Sequence, residues 1–533
     1  MAPWIKIRLE LYRQLENHVR LLLGREAKDL QQYREQFNRE FEKGWRVSSR
    51  DQLLSEIAKS DIVLLADFHA LQQSQKAQLR ILRAAVTAAP AILAVEFIDH
   101  ENQAWLDRWM EGGISDKEFL QQIDWVKSWG FPWDHYRPLL RFAQKRGIKV
   151  YGINRTLGIP SRQNLQVRDD FAGERILEIR KNHPGHRIFV VFGDLHLASA
   201  HLPRVLERKK GKREIFRTLT VFQNPEKIYF SLLSKGQEMA VEVVRLSRHQ
   251  FCILSVPPWV KWQNYLMFLE RHLDRELHGE TLEYSDHVGR YLRVLAEDFS
   301  IQVPVDQVAV YTPDDAHFWS EMENRLGPQV LQSYRSMVQD EKSFFVPEMQ
   351  AGYLARPSVN HASQLAMAIL HSHLSGWKTT PVPNAENFLK MIWLEAVQYF
   401  GTKMINPRRK TDTLHDIRAA LASRQPKDLG QEALQLALHQ KMKEILLLNG
   451  QGSKWNSYRA RRTTSYREAS RLLGGLLGEK LYTGLRKGLL RLDHLLLYFK
   501  TPVDGPEFSR FYLELIEVVE GLPEPFLSKL DRI

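Results

Sequence analysis

Ile62-Val63-Leu64-Leu65-Ala66-Asp67-Phe68-His69 is an apolar run that ends in a carboxylate and an imidazole two residues apart, and Phe189-Val190-Val191-Phe192-Gly193-Asp194-Leu195-His196 repeats the pattern. An apolar run without alternation reads as a strand covered on both faces, the mark of a parallel sheet flanked by helices. Two more runs end the same way, Ala91 to Val95 before Glu96 and Lys149 to Ile153 before Asn154. Between them, Lys76 to Ala88, Asn102 to Met110, Pro138 to Arg146 and Arg168 to Asn182 have helical character. Strand, helix and strand in repetition predict an α/β fold with a mostly parallel sheet. Ligands of such sheets bind outside the carboxyl ends of the strands. Asp67, His69, Glu96, Asn154, Asp194 and His196 are therefore predicted to converge on one cleft.

Outward from this core, residues 1–46 read as one long amphipathic helix or a helical hairpin, with Tyr12, Leu15, Val19, Leu22, Leu30, Tyr33, Phe37 and Phe41 near helical spacing. The α/β pattern occupies residues 47–258. It includes strand-like stretches at Ile215 to Phe222, Ile228 to Leu233 and Phe251 to Val256, and Pro257-Pro258 closes it. Residues 259–533 read as a large basic all-α domain, broken at Val303-Pro304, Thr379 to Asn384 and Gln425-Pro426, with a subdivision expected near 379–384. Within it, Gly474 with Gly478 and Gly484 with Gly488 are four apart in a leucine-rich stretch. Glu479, Lys480, Arg486 and Lys487 interrupt that stretch, so a helix-packing face in a bundle is expected rather than a membrane contact.

A chain of 533 residues holds ample mass for a core. No apolar stretch approaches the about 18 residues of a spanning helix, and the first residues lack the pattern of a secretory signal. The single Cys252 excludes an intrachain disulfide and a multi-cysteine metal knuckle. A cytoplasmic setting is the expectation. Residues 401–500 hold 20 Lys or Arg against 8 Asp or Glu, which equals the whole formal charge of +12. That imbalance fits either a solvated helical face or an acidic partner, nucleic acid or an anionic membrane surface.

Two histidines with carboxylates suit a divalent ion such as Mn, Fe, Co or Zn that activates water. In that scheme His69, His196 and Asp194 ligate, Glu96 or Asp67 takes the proton, and Asn154 donates to an oxyanion. The product would be hydrolysis of an amide or ester bond in a small-molecule or peptide substrate. The plainer reading of each Asp-x-His is a cap or a loop hydrogen bond. Arg155 and Arg168 suit either an anion clamp or salt bridges. In the helical half, Glu348, His361, His371, His373 and Glu395 could form a bundle-type cluster, but His371 and His373 are two apart and point to different faces. Motifs for a phosphate loop, a zincin or a serine-hydrolase elbow are missing from the sequence.

From Ile62 to Pro203 the chain resembles the ChaN-like haem-binding-uptake family, of a superfamily shared with the Tiki and TraB proteins and erythromycin esterases. The resemblance rests on Ile62 to His69, Ala94-Val95-Glu96-Phe97 with Gln103, Trp129-Gly130-Phe131-Pro132-Trp133, Tyr136-Arg137-Pro138-Leu139, Gly147 to Asn154, Arg168-Asp169-Asp170 and Gly193 to His196. It implies a mostly parallel α/β fold whose site is formed by the His motifs and a strand-end carboxylate. Members linked to haem or iron uptake bind haem, Tiki proteins are metal-dependent proteases, and the esterases open a lactone. The sequence departs from the family's Gly-Glu-x-His in Ala66-Asp67-Phe68-His69, a carboxylate one methylene shorter, and keeps the second motif. The residues after Trp259 lie outside the resemblance. With no Cys-x-x-Cys-His motif, haem would need noncovalent ligation, for which Tyr136 and His135 stand beside Trp125, Trp129 and Trp133. A third reading makes the α/β region a scaffold and the basic helical half the acting part.

Overall fold

The computed structural model describes residues 3–86, 90–155, 164–211, 214–277, 284–303, 308–313, 315, 317–356, 358–423, 430–451 and 458–522. The chain divides into two compact units, Tyr12–Phe268 and Met1–Leu11 with Leu269–Arg532.

The first unit is built on an eight-stranded sheet: β1 (Arg46–Ser48), β2 (Ile62–Asp67), β3 (Ala91–Asp99), β4 (Lys149–Asn154), β5 (Arg187–Gly193), β6 (Thr218–Gln223), β7 (Val243–Ser247) and β8 (Gln250–Ile253). Their spatial order is β1-β7-β8-β6-β2-β5-β3-β4. The strands from β8 to β4 pair in parallel, whereas β7 and β1 join antiparallel at one edge. The unbroken apolar runs arise because each central strand feeds two cores. Val63 and Leu65 of β2 with Phe189 and Val191 of β5 pack against Leu79, Leu82, Leu139 and Leu140. Ile62, Leu64, Ile188 and Val190 face Phe37, Phe41, Ile176 and Leu202 on the other side. Cys252 lies fully buried in β8.

The expected α/β fold is present, with local corrections. The run Ile228 to Leu233 is not a strand but part of the Glu226–Ser234 helix. Its buried residues, Ile228, Tyr229, Leu232 and Leu233, recur at helical spacing, and Pro225 sets an extended N-cap. The strand expected from Ile215 starts at Thr218, and Ile215 itself is exposed. The helix expected over Lys76 to Ala88 is Gln72–Ala85; its last residues, Thr87 and Ala88, lie outside the described residues. Residues before β1 form two helices, Pro3–Leu23 and Lys28–Glu40.

The second unit is helical around Phe388–Ile405, a helix buried on nearly every side and packed on Thr463–Arg486. Two glycines permit the close approach: a methyl group on Gly478 would lie 2.5 Å from the Ala396 carbonyl oxygen, and one on Gly474 would collide with Glu395 Cβ. The all-α expectation misses one small sheet, in which β11 (Ala351–Tyr353) pairs antiparallel with β10 (Phe344–Val346) and parallel with β9 (Ala309–Tyr311). Three-residue strands carry too little periodicity to stand out. Pro304 and Gln425-Pro426 lie outside the described residues. None of the described helices is long and apolar enough to cross a membrane.

The histidines of this unit do not converge. His361 Nδ1 meets Ser343 Oγ at 2.7 Å, whereas His371 is buried and His373 exposed. Burial alone pushes the His371 imidazole down to about 3. A histidine kept neutral by the fold supports stability above its unfolded pKa of about 6.5, and that support is lost as pH falls toward the folded value. Acidification from pH 7 to 5 is therefore expected to lower the urea midpoint of the wild type more than that of His371→Leu. Equal slopes for the two proteins would remove this account.

Candidate functional site

The carboxyl ends of β2, β5, β3 and β4, four adjacent strands, deliver the polar groups singled out above. Asp67 is the buried anchor. Its carboxylate accepts from Gln75 Nε2 at 2.6 Å, Gln78 Nε2 at 3.0 Å, Tyr136 Oη at 3.2 Å and His69 Nδ1 at 2.8 Å. Gln78 and Gln223 also donate to the Ala66 carbonyl, so the strand end is fixed from two elements. With Nδ1 bound to Asp67, the His69 ring presents Nε2. Burial by itself would lower this imidazole, but the Asp67 hydrogen bond and the charges of Asp67, Glu96 and Asp194 hold it above its ordinary value.

His196 is fixed in the same manner, with Nδ1 2.6 Å from Asp169 Oδ1. Asp169 Oδ2 accepts from Tyr33 Oη at 2.9 Å, and Tyr33 stacks on His201 at 3.6 Å. Glu96 pairs with Arg168 and accepts from the Gly193 N–H at 2.5 Å. Gly193 is the centre of the arrangement. A Cβ there would lie 3.3 Å from Glu96 Oε2, 3.4 Å from His69 Nε2 and 3.4 Å from His196 Cδ2. Only a residue without a side chain leaves the space between these groups free. A second glycine acts nearby: a Cβ on Gly152 would lie 2.8 Å from the Ile98 carbonyl, where β3 shifts register against β4 beyond Glu96.

His69, Glu96, Asp194 and His196 line a cavity of about 560 Å³, inside the roughly 300–1,000 Å³ range of small-molecule sites. Phe37, Phe68, Phe131 and Tyr265 supply apolar walls, and Arg20, Arg34 and Lys227 lie toward solvent. Burial raises the Asp194 carboxyl, against the pull of Lys261 and His69. Lys261 itself meets Glu226 at 3.0 Å and lies 4.6 Å from the Phe68 ring centroid.

The other expected residues stand elsewhere. Asn154 accepts from Arg168 Nε at 3.2 Å and does not line the cavity. Arg168 does line the cavity, as the salt-bridge partner of Glu96, whereas Arg155 lies over the Phe171 ring. Tyr136 is fully buried with its hydroxyl on Asp67, and neither it nor His135 lines the cavity. Trp125, Trp129 and Trp133 belong to the core around Tyr136. The expected divalent ion finds no support: among the described residues no three His, Cys, Asp or Glu groups lie together in a metal-holding arrangement. Asp67, Asp169 and Glu96 are already taken up as acceptors within the protein. Sequence reading passed over Gln75 and Gln78, and it saw Asp169 only as part of a motif. Gln75 and Gln78 are three apart on one helix face, the one available signal.

The fold and cleft define a parallel α/β protein with paired, carboxylate-anchored imidazoles at its strand ends. Residues 53–162 match the family described as haem-binding uptake, Tiki superfamily, ChaN. The match spans β2 to β4 with Asp67, His69 and Glu96, whereas Asp194 and His196 lie beyond it. Among solved structures, the chain is similar to ChaN of Campylobacter jejuni, described with cofacial haem binding, at 15% identity over 33% of this chain and 87% of that one, with a TM-score of 0.29. It is also similar to the type III effector HopBA1, at 16% identity over 34% and 86%, with a TM-score of 0.25. No curated protein matches the chain.

Proposed function

We propose that the α/β unit binds haem noncovalently in the strand-end cavity, with His69 Nε2 as the iron donor. The observation that carries this reading is the His69 imidazole, held at Nδ1 by buried Asp67 with Nε2 beside the bare Gly193. A carboxylate on the far nitrogen is the arrangement that orients ligating histidines and raises their basicity. The cavity suits the group in two further respects. Its aromatic walls match a flat apolar ring system, and the carboxylates of Asp67, Glu96 and Asp194 lie on the same lining as the donor. Acidic groups beside the donor favour a ferric centre. When bound, haem would supply a redox-active iron; the residues of the chain bind it, orient it and shield it from water. The match to a family described as haem-binding uptake supports the same reading.

Haemin titration of the full chain is expected to give a saturable Soret band at one haem per chain. His69→Ala is expected to shift that band and weaken binding by about 10–100-fold, the usual effect of disturbing a ligand shell. Binding unchanged in both position and affinity would overturn His69 as the donor. A second reading, hydrolysis of an amide or ester bond, is favoured by Asp194, a cavity-lining carboxyl that burial raises above its ordinary value. Ester turnover lost in Asp194→Asn, with haem binding intact, would support that reading.

A further inference from the structure

The helical unit contains a second cavity, of about 90 Å³. A single water needs only about 10–15 Å³ of such space, so there is room for a molecule of several heavy atoms. Two charged side chains of opposite sign line it without pairing. Arg467, 6% exposed, lies on Thr463–Arg486, and its Nε and Nη1 groups are buried with no partner. Glu395, on Phe388–Ile405, lines the same cavity and makes no hydrogen bond or ion pair among the described residues. Of the adjoining charges, Glu468 holds both Lys342 and Arg471, and Asp340 acts on Arg467 without an ion pair to it. Burial raises the Glu395 carboxyl even so, against Arg471, Lys342 and Arg409, and burial lowers the Arg467 guanidinium. The rest of the lining is mixed: Phe345, Trp377, Met391 and Leu394 supply apolar surface, and Ser343, Gln364, Thr380 and Gln398 supply polar groups.

A buried guanidinium without an acceptor costs the fold stability unless something occupies it. Guanidinium N–H groups match a carboxylate in bidentate fashion, and a carboxylate across the cavity matches an ammonium. We propose that this cavity is a binding site for a free α-amino acid with a small apolar side chain, its carboxylate on Arg467, its ammonium on Glu395 and its side chain among Trp377, Met391 and Leu394.

Titration calorimetry on the full chain with L-leucine and L-methionine, beside isocaproate and isoamylamine as leucine without its ammonium or its carboxylate, tests the assignment. The amino acids are expected to bind at one per chain, and each truncated analogue at least about tenfold more weakly, because it gives up one of the two charge matches. Arg467→Met is expected to abolish binding while melting at or above the wild-type temperature, since it removes an unpaired buried cation. Glu395→Gln should weaken leucine but not isocaproate. Absence of binding by wild type at millimolar amino acid overturns the proposal, as does leucine binding retained in folded Arg467→Met. Isocaproate binding as tightly as leucine overturns the zwitterion assignment and leaves an anion site only.

Discussion

Asp67→Ala is expected to destabilise the α/β unit by about 3–5 kcal/mol, the range for breaking a buried charge-assisted cluster from one side. The carboxylate is 2% exposed and accepts from Gln75, Gln78, Tyr136 and His69. Alanine removes the acceptor and leaves those donors in place. Each buried donor without a partner costs about 1–3 kcal/mol, and Gln78 recovers part of this through the Ala66 carbonyl. The same substitution frees the His69 imidazole, whose pKa should fall because burial then acts without the Asp67 hydrogen bond. Urea unfolding measures the first effect and an NMR titration of His69 the second. A loss under about 1 kcal/mol would mean that the glutamines find other acceptors and that Asp67 is not the anchor.

Lys403→Met should act on the helical unit with similar size, about 3–5 kcal/mol. The Lys403 ammonium, 1% exposed, meets Glu479 at 3.1 Å and donates to the carbonyls of Pro407 at 2.6 Å and Arg409 at 3.0 Å. Glu479 also accepts from Tyr399 Oη at 2.8 Å. Methionine fills the stem volume but takes the cation away from the carboxylate and a donor away from both carbonyls, with Tyr399 still donating to Glu479. The double variant Lys403→Met, Glu479→Leu should recover much of the loss, because an apolar pair has no charge to desolvate. A double variant no more stable than the single one would place the cost in the two carbonyls instead. The pair also bears on the basic stretch 401–500: Lys403, Arg408, Arg467 and Lys480 are all buried, so part of its charge faces the interior.

The fold of the α/β unit was legible because β2, β3 and β5 are enclosed on both faces, which forces unbroken apolar runs and sets polar residues apart at their ends. Asp67, His69, Glu96, Asp194 and His196 were legible for that reason. The groups that fix them were not. Gln75 and Gln78 belong to a helix face that contacts the sheet, yet in sequence they look like solvent-facing polar residues. Asp169 and Lys261 reach the site from segments far along the chain, and no local pattern records that approach. Ile228 to Leu233 was misread since a short apolar run serves a strand or a helix equally well. In the helical half, Gly474 and Gly478 signalled close packing because a glycine has few other uses inside a helix. Glu395 stood out only as part of a cluster with Glu348 and the histidines, and Arg467 carried no signal, as charge pairing is a property of three-dimensional neighbours alone.

Cys252 gives the protein a property of a different kind. It is the sole thiol in the chain, and it is fully buried in β8, the strand that pairs in parallel with β6 and antiparallel with β7. An alkylating reagent in solution reaches its sulfur only when that part of the sheet opens. The unmodified protein therefore contains its own clock for the breathing of one unit, read as the rate at which a single mass label is acquired.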